Sequence, residues 1–319
     1  MAILIHKQVY KKLLQPVTLF ALLLFAFPAK ADQTFSGIFI FGDSMSDTGN
    51  LASIIGDFPP AYYNNRMSNG PVAVEILGER LGLRTDASLY LINQNAGTNY
   101  AVASAKAGGN RALDLDTQVN AFLSAHGFSA PQDALYVMFI GGNDVRGARD
   151  LDDNRLAEDV LKTAAENIRW NINKLVSSGA QFFVVMNSID MGSIPEALRL
   201  DDPALSPRTT KLTQRFNRFL KKNIHDIEDD LGMEIAEFNS FKFLRRVIER
   251  AESFGFRNTR EPCFFFSTLT FHPDCNFGKN SNDFLFFDEK HPTDRGHKLI
   301  GNALFEAVEE FDWKESDDD

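Results

Sequence analysis

Short apolar runs rich in β-branched and aromatic residues alternate along this chain with long stretches of helical spacing, and that alternation most restricts its fold. "GIFIFG" (37–42), "ALYVMFIGG" (134–142), "QFFVVMNS" (181–188) and "MEIAEF" (233–238) read as buried strands. Between them, "PVAVEILGERLG" (71–82), residues 153–178, residues 208–230 and "RGHKLIGNALFEAVEEF" (295–311) repeat apolar side chains at helical period. A strand that is apolar throughout needs cover on both faces. The pattern therefore predicts an α/β fold: a parallel sheet between helix layers, joined by right-handed crossovers. A site on such a sheet lies beyond the carboxyl ends of its strands. Residues 254–287 are long and irregular for a compact domain, which marks them as functional or as a lid.

The first 31 residues stand apart. Lys7, Lys11 and Lys12 precede a short apolar core, "PVTLFALLLFAF" (16–27), and Ala29-Lys30-Ala31 offers small residues for cleavage. A core of about 12 residues is short for a membrane span, which needs about 20, so residues 1–31 read as a signal peptide and the protein as secreted or periplasmic. Residues 32–319 then form one domain, and an apolar content of 44% can fill its core. The formal net charge is −10, and loss of the four signal lysines makes it more negative still. An acidic surface disfavours nucleic acid and gives no pull toward anionic lipid. The final "KESDDD" reads as a solvated tail.

Only two cysteines occur, Cys263 and Cys275. In an exported chain they read as a disulfide closing the loop "FFFSTLTFHPD". Two cysteines without a CxxC or HxxxH companion make a poor zinc site. Such a loop is either a structural staple or a lid whose cleavage or reduction changes access to the site.

Ser44 follows "FIFGD" and so falls at the end of the first strand, where it could cap the next helix or serve as a nucleophile. The segment is not the GxSxG elbow, because Ser46 stands where the second glycine belongs. A nucleophilic serine needs a base within reach and a third group to orient that base. Of the six histidines, His6 lies in the signal, His225 and His297 on expected helices, His126 near a helix end and His272 in the cysteine loop. His291 lies in "FFDEKHPTDRGH", three residues after Asp288 and ahead of the last helix. One short loop can present both side chains, although an Asp and His satisfied within a surface turn would look the same. In "FIGGNDVRG" (139–147), Asn143 follows a strand and two glycines; its amide could donate to an oxyanion or only stabilise its own turn.

Taken together, these segments resemble the GDSL lipases and esterases, also called SGNH hydrolases. The resemblance runs through "FGDSMSDTGN", "RMSNGPVAVEILGERLGL" (66–83), "GTNYAVASAKAGG" (97–109), "FIGGND", "FGFRNTREPC" (254–263) and "FFDEKHPT". It implies a three-layer α/β/α sandwich of flavodoxin-like type, with Ser44 as nucleophile, His291 as base and Asp288 as its orienting partner. It also implies an oxyanion hole from the Ser44 backbone N–H, a backbone N–H at Ser104 and the Asn143 side chain. Glycine is usual in the family at the position of Ser104. The implied chemistry is acyl transfer through an acyl-serine, which calls for no metal or other cofactor.

The chain looks most like the exported bacterial branch with lysophospholipases, phospholipases A and glycerophospholipid:cholesterol acyltransferases. The implied substrate is a lysophospholipid or phospholipid, met by a monomer in transient contact with a membrane surface, and an alcohol acceptor could replace water. Phe264, Phe265, Phe266, Leu269 and Phe271 could line an acyl groove or pack inward as core. The alternative is a carboxylesterase acting on short soluble esters.

Overall fold

The structure, a computed structural model, describes residues 33–198 and 202–313. The expected signal segment and the acidic tail lie outside the described residues. Four strands, β1 (Ile38–Gly42), β2 (Leu135–Phe139), β3 (Phe182–Met186) and β4 (Ala236–Phe238), form a parallel sheet in the order β1-β2-β3-β4. Every residue of β1, β2 and β3 is buried, as expected of strands covered on both faces. Beside β1 runs a further parallel segment that is too short to count as a strand. Ile40 N–H donates to the Thr98 carbonyl, and Tyr100 N–H returns a bond to the Ile40 carbonyl. With that segment as the outer member, the order is flavodoxin-like.

The helices in chain order are α1 (Ala52–Ile55), α2 (Ala73–Leu81), α3 (Leu115–Ala125), α4 (Gly142–Arg149), α5 (Asn154–Ser177), α6 (Pro195–Leu198), α7 (Leu205–Leu231), α8 (Ser240–Glu249) and α9 (Asp294–Glu310). α5 packs against α3, α4 and α7, whereas α2 packs against α9, giving the two helical layers of an α/β/α sandwich. Alternation along β1 sends Phe39 and Phe41 to the same side, where both rings meet Phe122 of α3. The Phe39 ring also stacks on Tyr136 of the neighbouring strand.

The four expected strands and four expected helices all form, with ends displaced by a few residues. One boundary differs for a physical reason. The run 134–142 ends as strand at Phe139 because Gly141 adopts φ +121°, and α4 begins at Gly142. A side chain at Gly141 would strike the Phe216 ring, so only glycine allows the chain to turn there. Residues 254–287 are also more ordered than their irregular sequence suggests. β5 (Asn258–Pro262) pairs in parallel with β8 (Phe284–Phe286), and β6 (Phe264–Phe265) forms a hairpin with β7 (Thr270–Phe271). The Cys263–Cys275 disulfide is present, with both cysteines fully buried among Tyr62, Phe264, Phe284 and Phe287.

Candidate active site

β1 delivers its chain end into a tight turn in which Asp43 does the capping. The Asp43 carboxylate accepts from Met45 N–H at 3.0 Å, and its carbonyl accepts from the N–H groups of Ser46 and Asp47. Helix α1 starts beyond Leu51, so Ser44 caps nothing and its hydroxyl is left for another partner. That partner is His291, whose Nε2 lies 2.8 Å from Ser44 Oγ. The other ring nitrogen, Nδ1, lies 2.8 Å from Oδ1 and 2.7 Å from Oδ2 of Asp288.

The loop between β8 and α9 builds this pairing from its own backbone. Oδ1 of Asp288 accepts from the N–H groups of Lys290 and His291, while the His291 carbonyl accepts from Phe287 N–H. Burial of Asp288 opposes its charge, but the facing His291, the loop N–H of Lys290 and the Tyr62 hydroxyl together hold its carboxyl below the usual range. An ionised carboxylate can only accept. In the neutral ring, His291 then donates from Nδ1 and keeps Nε2 as an acceptor for the Ser44 hydroxyl. A hydroxyl in this position can pass its proton to imidazole as its oxygen attacks an electrophile.

Asn143 sits in the first turn of α4, not in an open turn, and lines the same cleft as Ser44 and His291. Its Oδ1 accepts from Arg146, and one N–H of its amide donates to the Ala105 carbonyl at 2.9 Å. These two bonds orient the amide and leave its second N–H for another acceptor. Arg146 is itself held by two hydrogen bonds to Glu196, which Arg149 also engages; burial opposes the Glu196 charge, but the two guanidiniums bring its carboxyl down to about 2.

Ser104 occupies the left-handed region with φ +69°, a conformation that favours glycine. The loop around it is tied residue by residue: Val102 N–H to Gly42, Ala103 N–H to Asp47, Ala105 N–H to Val102, Lys106 N–H to Asp114, and those of Ala107 and Gly108 to Asp144. Among the described residues, the N–H groups of Ser104 and Ser44 have no hydrogen-bond acceptor. Burial pushes the carboxyls of Asp43 and Asp144 up to about 6, against the pull of the backbone N–H groups that each accepts.

The sequence reading missed most of this support. Asp47 accepts from the N–H groups of Gly49, Asn50, Leu51 and Ala103, and Asn50 donates to the carbonyls of Asn99 and Ala101. Asn99 in turn donates to the Ser46 carbonyl. The available signal was the density of small acids and amides in "SDTGN", shortly after the first strand. Tyr62, whose hydroxyl donates to Asp288 Oδ2 at 2.8 Å, left no local signal, because it is 226 positions away.

Two clefts meet at His291. One, of about 40 Å³, is lined by Ser44, Met45, Ile140, Asn143, Arg146 and Met191; the other, of about 230 Å³, by Tyr62, Met67 and Phe266 among others. Lys290 borders both. Among the described residues, no group of three or more histidines, cysteines and acids is placed to hold a metal ion.

The profile of the GDSL-like lipase/acylhydrolase family matches residues 38–304. A GDSL esterase/lipase of Arabidopsis thaliana is 26% identical, over 88% of this chain and 88% of that protein. A phosphatidylcholine-sterol acyltransferase of Aeromonas hydrophila is 27% identical, over 74% of this chain and 68% of that protein. Among solved structures, an acetylxylan esterase of Geobacillus stearothermophilus aligns with 90% of this chain and 100% of its own at a TM-score of 0.49 and 15% identity.

Proposed function

Since the chain belongs to the GDSL-like lipase/acylhydrolase family, we propose that it hydrolyses carboxylic esters through an acyl-serine on Ser44 and that its substrates are lysophospholipids or phospholipids. The observation that carries the first part is the unbroken relay Ser44 Oγ to His291 Nε2 at 2.8 Å, with Nδ1 on Asp288 at 2.7 Å. In this reading His291 takes the Ser44 proton as the oxygen attacks the ester carbonyl. It then gives that proton to the departing alcohol, and water repeats the sequence on the acyl-serine. The tetrahedral oxyanion rests on the N–H groups of Ser44 and Ser104 and on the Asn143 amide. Asn143→Ala should then lower kcat by about 10² to 10³-fold while KM moves little, measured by steady-state hydrolysis of a nitrophenyl ester. An equal loss confined to KM would remove Asn143 from the oxyanion hole.

The lipid part rests on the surroundings of His291. Phe266, half exposed, lines the larger cleft; Leu269 on the same disulfide-closed segment is 59% exposed, and Phe277, just beyond Cys275, is 84% exposed. Apolar side chains so displayed suit an acyl chain or the surface of a lipid aggregate. Lys290 borders both clefts at His291, where its ammonium is in reach of the phosphate of a phospholipid head group. The acyltransferase of Aeromonas hydrophila named above carries phosphatidylcholine in its name, and an alcohol acceptor in place of water belongs to the same proposal. Residues 1–31 as an export signal, with a secreted or periplasmic destination, suit both a lipid substrate and a disulfide.

A second reading, an esterase for short soluble esters, is favoured by the small volume next to Ser44. Fatty-acid release from lysophosphatidylcholine decides between them, with short-chain nitrophenyl esters alongside. The lipid reading expects release that climbs steeply once the substrate forms micelles. Rapid cleavage confined to monomeric short esters would overturn it in favour of the esterase.

A further inference from the structure

The carboxylate of Asp288 is fixed from two directions. Oδ1 is held by its own loop, through Lys290 N–H at 2.8 Å and His291 N–H at 2.9 Å. Among the described residues, Oδ2 has no such backbone support. Besides His291 it accepts from one group, the hydroxyl of Tyr62 at 2.8 Å, which comes from the distant segment between α1 and α2.

Tyr62 is only 5% exposed, and its ring stands edge-on to Phe287 at 5.2 Å, Phe264 at 5.7 Å and Phe58 at 6.0 Å. The same buried cluster contains both cysteines of the disulfide. The disulfide segment is also bonded to the strand that leads into Asp288. Cys263 N–H donates to the Phe286 carbonyl at 3.0 Å, and Phe264 N–H to the Phe287 carbonyl at 2.7 Å.

We propose that Tyr62 is a positioning residue for the reaction: its hydroxyl locks Asp288 Oδ2 so that the carboxylate faces His291, and the Cys263–Cys275 disulfide holds the aromatic cluster that aims this hydroxyl. Without the bond, a carboxylate anchored at one oxygen can rotate about its Cβ–Cγ axis, and the imidazole it holds follows. The phenol remains a donor at all working pH values, because burial and the negative charge of Asp288 push its ionisation far above the ordinary range. The disulfide segment is thus a buttress of the acid as well as a wall of the larger cleft. This inference rests on the proposed Ser44 chemistry.

The test is Tyr62→Phe, which keeps the ring packing and removes the hydroxyl. The expected result is a kcat for a short nitrophenyl ester lowered roughly 10- to 100-fold, the range of one hydrogen bond to a charged group, with KM within about twofold. The far-downfield proton resonance of the His291 Nδ1–H should shift as well, a change that a ring acting only by packing would not produce. A second arm replaces both cysteines by serine in the parent and in Tyr62→Phe. Loss of the disulfide should lower kcat in the parent and add little once the hydroxyl is gone, since both act through the same carboxylate. Parental kcat and an unmoved resonance in Tyr62→Phe, or losses that multiply in the combined variant, overturn the proposal. The Ser44→Ala control separates this from failure of the underlying chemistry: hydrolysis that survives in Ser44→Ala refutes the nucleophile, whatever Tyr62 does.

Discussion

Replacing Ser44 by alanine should lower kcat for ester hydrolysis by roughly 10⁶-fold, the cost of deleting a nucleophile whose base and oxyanion donors remain in place. Far-UV circular dichroism and the thermal midpoint should stay near those of the parent. Ser44 is only partly buried, and its oxygen bonds to His291 alone, while Asp43 holds the turn. The check is direct. A fluorophosphonate should add one covalent mass to the parent and none to Ser44→Ala, in step with hydrolysis. A variant that keeps its turnover would place the nucleophile elsewhere.

Asp288→Asn should cost roughly 10⁴-fold in kcat even though it changes a single atom type. Both carboxylate oxygens accept from donors, namely two backbone N–H groups, the His291 ring and the Tyr62 hydroxyl. An amide must set its own NH₂ against one of them. If it faces His291, the imidazole takes the other tautomer, and Nε2 then carries a proton and cannot accept from Ser44. The variant should also be less stable at neutral pH. A carboxyl held below its ordinary value of 3.8 stabilises the folded state above that value and loses this contribution as the pH falls through its folded value. The stability gap between parent and variant should therefore close on acidification, measured by thermal unfolding across that range. A variant with parental turnover would remove Asp288 from the relay.

The central sheet was legible because its strands are apolar throughout and its longer helices repeat at a clear period. Helix α4 was not. Its sequence "GNDVRGAR" has two glycines and no apolar stripe, and it is held by tertiary bonds, such as Asp144 to the 107–108 backbone and Arg146 to Glu196. Ser44, Asp288 and His291 could be singled out because each stands in a short motif at a strand end or helix start. The parallel segment at 98–102 and Tyr62 could not. The first is defined by bonds to β1, and the second by an acceptor more than two hundred positions away. The left-handed backbone of Ser104 left only an indirect signal, the glycine usual in the family at its position, because serine does not announce such a conformation as glycine does.

Ser44 and His291 are 247 positions apart, with the hydroxyl on the first strand and the imidazole on the loop before the last helix. Neither half of the chain holds the pair by itself. A fragment that stops between them lacks one or the other. Turnover is consequently a stringent assay of complete folding.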